Sequence, residues 1–104
     1  MSRIVIQSVQ FKASSRLNDF VKEKVSKLLE QNDRIIRADV TLFEVASGNP
    51  RNQFCEINLS VPGENHFVKK NSESYEKSVL EAVRTLQKIL KRNKSRIRDR
   101  RRSV

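Results

Sequence analysis

The segment QFCEINLSV at residues 53–61 has the most regular alternation of apolar and polar side chains in this chain. Successive side chains of a strand point to opposite faces of a sheet, so its apolar and polar residues are separated onto two faces. The apolar set is Cys55, Ile57, Leu59 and Val61, and the polar set is Glu56, Asn58 and Ser60. This pattern predicts a strand in a sheet with one buried and one wet face, as is usual for antiparallel pairing.

Three other segments are predicted to form the rest of the sheet. Residues 37–45 set Val40 and Leu42 among polar neighbours, and a loop at 46–52 containing Gly-Asn-Pro separates this strand from the next. Pro62-Gly63 predicts a turn into a weaker strand at 65–70. Residues 3–11 alternate well enough to form the first strand, with Ile4 and Ile6 on one face.

Two amphipathic helices complete the predicted fold. The first is capped by Ser14 or Ser15 and ends at Gln31-Asn32-Asp33; the second starts near Ser72 or Ser74. Their apolar residues recur at spacings of three and four, as on one face of a helix. These residues are Leu17, Phe20, Val21, Val25, Leu28 and Leu29, and then Tyr75, Val79, Ala82, Val83, Leu86 and Leu90. The predicted class is α+β, in the order β-α-β-β-β-α, with two helices on one face of a four-stranded sheet.

The length of 104 residues indicates one domain, which we place at residues 1–94, followed by a basic, flexible tail at 95–104. No signal peptide or membrane span is expected from the sequence. A single cysteine excludes a disulfide within the chain. We therefore expect a cytoplasmic protein.

Positive charge is concentrated at the C-terminal end of the sequence. Residues 1–83 contain 12 basic and 11 acidic side chains, whereas residues 84–104 contain 10 basic side chains and one acidic. A block of like charge repels itself and is stabilised by a polyanion. A solvated tail without a partner is the alternative reading of this segment.

Nucleic-acid phosphates are the polyanion that this pattern favours, because Lys and Arg release condensed counterions when they bind phosphate. RNA is preferred over DNA, since no helix-turn-helix, zinc-finger or basic-zipper pattern is present, and a helix pair backed by a sheet suits recognition of folded RNA by shape. The candidate RNA-binding residues are Lys24 and Lys27 on the first helix, Arg84, Lys88, Lys91, Arg92 and Lys94 on the second, and Arg96 and Arg98 in the tail.

Residues typical of catalysis are scarce. His66 is the one histidine and falls in the expected edge strand, while Cys55 falls on the apolar face of its strand. Two isolated glycines form no phosphate-binding loop. We predict that the chain is not an enzyme and has no cofactor, metal or small-molecule substrate. Phe43 and Phe54 are placed on the wet face, where structural packing at the sheet edge is their expected role.

Three segments together carry a resemblance to a known family. They are IVIQSVQF at residues 4–11, VKEKVSKL at residues 21–28 and YEKSVLEAVRTLQKILKRNK at residues 75–94. In their order and spacing the chain resembles the short form of the ribosome hibernation promoting factor and ribosome-associated inhibitor family. The basic tail departs from that family's inhibitor-type members, which end in an acidic tail.

The resemblance implies a fold similar to double-stranded RNA-binding domains. It also implies binding to the small ribosomal subunit and its rRNA near the decoding centre, where tRNA and mRNA access is blocked in idle ribosomes. Carried over onto this sequence, Lys24, Lys27, Lys88, Arg92 and Lys94 are the implied rRNA contacts, and the protein is expected to be monomeric away from the ribosome. A general structured-RNA-binding or ribosome-assembly protein and a protein–protein adaptor remain the alternatives.

Overall fold

The computed structural model describes residues 3–46, 48 and 50–102, with side chains described as far as Arg92. Its elements follow the predicted order β-α-β-β-β-α, which confirms the α+β class. Their bounds are β1 Arg3–Ser8, α1 Ser15–Gln31, β2 Arg37–Glu44, β3 Gln53–Val61, β4 Glu64–Ser72 and α2 Tyr75–Arg102.

The four strands form one sheet in the order β1-β2-β3-β4. β2, β3 and β4 are joined by antiparallel pairing, with Val40 opposite Ile57 and Ile57 opposite Val68. β1 pairs with β2 in parallel, from Arg3 opposite Arg37 onwards. Parallel neighbours need a long crossover connection, and α1 supplies it.

Both helices cover the same face of the sheet, as predicted. α1 contacts β1, α2 contacts β3 and β4, and the two helices contact each other. Each helix follows a strand of the same direction, so the two helices run parallel. The residues buried between these layers are Leu17, Val21, Val25 and Leu28 of α1, Val79, Ala82, Val83, Leu86 and Leu90 of α2, and Ala38, Val40, Leu42, Cys55, Ile57, Leu59 and Val68 of the sheet.

The first strand is shorter than predicted. β1 ends at Ser8 because the chain turns at Gln10, whose φ of 63° is left-handed and incompatible with a continuing strand. The turn directs Phe11 towards the start of α2, where its ring stacks on Tyr75 with 4.9 Å between centroids. Alternation alone could not distinguish this contact from a strand that continues to residue 11.

The fourth strand is longer than the predicted 65–70, since its pairing with β3 continues from Glu64 opposite Val61 to Ser72 opposite Gln53. The tight turn between the strands requires Gly63, which has a φ of 80°. β4 is an edge strand, as expected for the segment that contains His66.

Serine hydroxyls define where both helices begin. Of the two candidates for α1, the structure selects Ser14, whose side chain accepts a hydrogen bond from the Leu17 backbone N–H at 3.1 Å. At α2, Ser74 caps the helix by accepting from the Lys77 backbone N–H at 3.2 Å. These bonds satisfy backbone donors that the first turn of a helix leaves without a partner.

A buried pair of serines ties the start of α2 to the sheet. The Ser78 hydroxyl donates to the Gln53 carbonyl oxygen at 2.7 Å and lies 3.0 Å from the Ser72 hydroxyl. The Ser72 hydroxyl donates in turn to the Ser74 carbonyl oxygen at 2.7 Å. Because buried polar groups are costly without partners, this network fixes the position of α2 against β3 and β4.

Replacing Ser14 tests the capping assignment. We expect Ser14→Ala to lower the free energy of unfolding by about 1 kcal/mol, because the Leu17 N–H loses its acceptor. The measurement is urea unfolding followed by circular dichroism.

Ser15→Ala is the matched control, since Ser15 is exposed in the first turn of α1 and alanine is a good helix former. A loss of stability for Ser15→Ala equal to that for Ser14→Ala would contradict the assignment.

Candidate nucleic-acid interface

α1 and α2 meet along a shallow groove that opens to solvent. The Gln87 side-chain amide of α2 donates to the Gln31 side-chain oxygen of α1 at 3.4 Å. This contact identifies which flank of each helix faces the other. The groove is lined by Leu28, Gln31, Asn32, Gln87, Leu90 and Lys91.

The cations of α2 lie on the flank next to this groove. Lys91 lines it directly, and Arg84 lies three residues before Gln87, one turn back on the same side. Lys88 follows Gln87 by one residue, and Arg92 follows Lys91 by one residue, so both lie further round the helix towards solvent. At a spacing of four they are neighbours on the helix surface. All four side chains are exposed. These four cations therefore form one broad basic flank of α2.

Lys24 and Lys27, two of the three lysines of α1, continue this flank across the groove. Lys24 and Lys27 precede Gln31 by seven and four residues, which places them on the same side of α1. The Lys24 ammonium lies 5.6 Å from the centroid of the Phe20 ring, and it is the less exposed of the two, with 27% of its side chain accessible against 57% for Lys27. Contact with an aromatic ring face holds a cation in place.

Glu23 of α1 pairs with both of these lysines. A Glu23 carboxylate oxygen is 4.0 Å from the Lys24 ammonium and 3.9 Å from that of Lys27. Exposed pairs of this kind are worth at most about 1 kcal/mol. They are therefore weak enough for a phosphate to compete with Glu23.

Six cations on two packed helices together form one surface, which we name the helical basic surface. Its high density of positive charge raises the local concentration of anions and suits a polyanion better than a single small anion. Its members are Lys24, Lys27, Arg84, Lys88, Lys91 and Arg92.

Three other predicted RNA-binding residues, Lys94, Arg96 and Arg98, lie outside the described side chains. The backbone of α2 runs through all three positions. Their role and the flexible tail at 95–104 stay predictions.

The residues considered for catalysis are held in structural positions. Cys55 is fully buried; burial, and to a smaller extent the charge of Glu56, raises the pKa of its thiol to about 12. The His66 side chain is 10% exposed, with its Nε2 3.6 Å from a carboxylate oxygen of Glu64. Over the part of the chain that the structure describes, no group of three His, Cys, Asp or Glu is placed to hold a metal ion.

The wet face of the sheet carries a feature that sequence reasoning missed. Phe43 and Phe54 lie on this face as predicted, but on the central strands β2 and β3 rather than at a sheet edge, which corrects the expected edge packing. Their rings stack with 5.0 Å between centroids, and the Lys69 ammonium lies 5.2 Å from the Phe54 centroid. Alternation along β4 places Lys69 and Phe67 on one face and could have indicated this grouping.

Over the described residues, neither helix carries the apolar stretch needed to cross a bilayer.

The family model described as "Sigma 54 modulation protein / S30EA ribosomal protein" matches residues 4–98 of the chain. No curated protein is similar enough in sequence to match it.

Two solved structures share the fold. One, described as a ribosomal subunit interface protein from Coxiella burnetii, has a TM-score of 0.78 at 17% identity, covering 89% of this chain and 98% of that one. The other is the N-terminal domain of Protein Y from Thermus thermophilus, with a TM-score of 0.74 at 21% identity, covering 88% of this chain and 98% of that one.

The environment of Cys55 predicts an unreactive thiol. Only the thiolate attacks a disulfide reagent, and a thiol with a pKa near 12 is almost fully protonated at pH 8. We expect the reaction of the folded protein with Ellman's reagent at pH 8 to be more than about 100-fold slower than that of the unfolded protein.

Val45→Cys in a Cys55→Ala background is the control, since Val45 is 40% exposed and a thiol there should react at an ordinary rate.

The raised pKa of Cys55 also makes the stability of the fold depend on pH. The stabilisation from the buried neutral thiol is intact below pH 9.0, the ordinary pKa of a cysteine, and is lost as the pH rises towards 12, because the unfolded chain releases its proton first. Rapid labelling of folded Cys55 at pH 8 would contradict both the slow reaction and the pH dependence expected from its raised pKa.

Proposed function

Because this chain belongs to the sigma 54 modulation protein / S30EA ribosomal protein family, we propose that it is a ribosome-associated hibernation factor that inhibits translation. In this proposal it binds rRNA of the small subunit near the decoding centre and blocks tRNA and mRNA access in idle ribosomes. The protein acts in the cytoplasm and is a monomer when it is not bound to the ribosome.

The helical basic surface is the observation that carries the proposal. Its members come from both helices, and all six lie within the segment matched by the family model, residues 4–98. Helices in contact have axes about 8–10 Å apart, so cations on the two helices can bind neighbouring phosphates of a folded RNA together. Recognition of this type depends on the shape of the RNA backbone rather than on base sequence.

Inhibition then follows from steric exclusion. The body of the protein measures 54 × 29 × 19 Å. A domain of that size covers the rRNA surface to which it binds, and no second RNA can occupy the same space. No chemical step is required of the protein for this mode of inhibition.

The two parts of the basic C-terminal region have different roles in this proposal. The first, up to Arg92, is exposed on a helix whose position is fixed by packing on the sheet. The second, residues 95–104, adds phosphate contacts through its positive charge, independently of RNA sequence. Together they give high affinity at low salt and a steep loss of affinity as salt rises.

Neutralising part of the helical basic surface tests the binding site. We expect the triple variant Lys27→Gln, Arg84→Gln and Lys88→Gln to bind purified small subunits more weakly than the unaltered protein in a pelleting assay. The slope of log affinity against log salt should also become shallower by about 2–3, since each lost phosphate contact removes roughly 0.7–0.9 from it.

The matched control is the triple variant Lys12→Gln, Lys22→Gln and Lys70→Gln. It removes the same charge from positions in the β1–α1 loop, on another flank of α1 and on β4. Equal weakening by both triple variants would show that only net charge matters, and the assigned surface would then be wrong.

A cell-free translation assay tests the inhibitory role. We expect the added protein to reduce synthesis from a reporter mRNA, and the helical triple variant to require a higher concentration for the same reduction. Pre-binding mRNA and initiator tRNA to the small subunit should weaken inhibition, because the proposed sites overlap.

A general RNA-binding or ribosome-assembly protein predicts a different outcome. Such a protein binds naked duplex RNA as tightly as it binds small subunits and leaves translation unchanged. That pair of results would replace the hibernation role by the RNA-binding one.

A further inference from the structure

The sheet face opposite the helices is open to solvent and differs in chemistry from the helical basic surface. Along the central strands its side chains are mostly polar, and they include Thr41 on β2, and Asn58 and Ser60 on β3. Three of the five phenylalanines of the chain also lie here: Phe43, Phe54 and Phe67. Neither helix covers this face, so the position of its aromatic rings is not explained by the core.

Phe67 is the most exposed large apolar side chain among the described residues, with 60% of its surface accessible. It lies on the edge strand β4 opposite Asn58, with its ring on the open face. A single exposed apolar residue is ordinary on a protein surface. Phe67 is different because a second aromatic group and a fixed cation lie on the same face.

That second group is the stacked pair of Phe43 and Phe54. The Lys69 ammonium lies over both rings, 5.7 Å from the centroid of Phe43 and 5.2 Å from that of Phe54. The rings hold this cation on the open face instead of letting it extend freely into solvent. Lys69 follows Phe67 by two residues and therefore lies between Phe67 and the stacked pair.

Cations and aromatic rings therefore alternate along the strand direction. The rows of paired residues run from Arg3 and Arg37, through Phe67 and then Lys69, to Phe43 and Phe54. Adjacent rows on one face are two residues apart, which is about 7 Å. An extended single strand of RNA presents one base and one phosphate per nucleotide, and proteins bind such strands by stacking bases on aromatic rings beside cations.

The acidic residues Asp39 and Glu56 each lie beside a cation on this face. Asp39 accepts a hydrogen bond from Arg37 Nε at 2.8 Å, so its charge is balanced. Glu56 lies directly opposite Lys69 across β3 and β4, at the row between the two aromatic positions. The remaining cation, Arg3, is exposed at one end of the face. The face is thus mildly basic, on a chain whose net charge is +10.

We propose that the open sheet face is a second RNA site, which binds a single-stranded segment by stacking a base on Phe67 and placing a phosphate at Lys69. We name it the aromatic sheet patch, consisting of Phe43, Phe54, Phe67 and Lys69. It is separate from the helical basic surface and selects unpaired bases, whereas the helices select folded RNA. The inference does not depend on whether the helices bind the ribosome.

Fluorescence at position 67 tests the proposal directly. The chain contains no tryptophan, so Phe67→Trp introduces one reporter at the site. We expect titration with an oligouridylate of about 12 nucleotides to quench its emission at low salt, because a stacked base lies against the indole.

The affinity measurement uses fluorescence anisotropy of the same labelled oligouridylate. Phe67→Ala should weaken binding about tenfold or more. Ile36→Ala is the matched control, since Ile36 is also exposed, at 54%, but precedes β2 at the end of the sheet; it should leave the affinity unchanged. Circular dichroism verifies that both variants are folded.

Three results would overturn the proposal. The first is an equal affinity of Phe67→Ala and Ile36→Ala for the oligouridylate. The second is no quenching of Phe67→Trp at concentrations where the oligonucleotide is bound. The third is a loss of small-subunit binding by Phe67→Ala with unchanged oligouridylate affinity, which would show that the patch contacts the subunit but not free single-stranded RNA.

The helical triple variant separates this inference from the proposed function. In the background of Lys27→Gln, Arg84→Gln and Lys88→Gln, Phe67→Ala should still weaken oligouridylate binding by the same factor. If small subunits are not bound by the unaltered protein but the Phe67 effect persists, the ribosome proposal fails and the aromatic sheet patch stands.

Discussion

Burial of one sheet face under two helices is the constraint on which the rest of the structure depends. The central strands present rows of fully buried side chains, such as Val40 opposite Ile57, to the apolar stripes of α1 and α2. Each fully buried aliphatic side chain contributes roughly 1.5–3 kcal/mol, so this layer fixes the rotation of each helix about its own axis. Once Leu28 and Leu86 point into the core, the flanks that carry Lys27 and Arg84 have no freedom in where they face. The basic surface is therefore a geometric consequence of the core, although none of its members belongs to the core.

That arrangement places like charges beside each other on adjacent helices, which opposes folding through repulsion. Two local features reduce this cost. Glu23 lies within 4.0 Å of the ammonium groups of Lys24 and Lys27, and the Phe20 ring holds that of Lys24. The remaining cations of α2 face solvent, where water and salt screen them. A polyanion that binds the surface replaces this screening, so binding and relief of repulsion act together.

Much of this fold could be predicted from the sequence, because alternation and helical spacing report burial directly. The order of the elements, the wet and dry faces of β3 and the stripe from Val79 to Leu90 all follow from it. The end of β1 could not be predicted, since the left-handed turn at Gln10 and the stacking of Phe11 on Tyr75 depend on residues far apart in the chain. The sequence allows either Ser14 or Ser15 to cap α1, and only the hydrogen bond from the Leu17 N–H to the Ser14 hydroxyl identifies Ser14 as the cap. For the candidate site, the cations could be identified from the charge pattern of the sequence. That they lie on both sides of one groove is known only from the structure, through the Gln31–Gln87 contact.

The aromatic sheet patch escaped prediction for a related reason. Phe43 and Phe54 are eleven residues apart with a loop between them, and only the register of β2 on β3 brings their rings together. Lys69 joins them from a third strand, through a register that is set by the turn at Gly63. The two faces of the domain thus arise from one sheet by different routes. On the helix side, long-range packing orients charges that the sequence already displays, whereas on the open side pairing between strands creates a group of residues with no local signature. Under the two proposed roles, folded RNA would bind one surface and unpaired RNA the other, with the sheet between them.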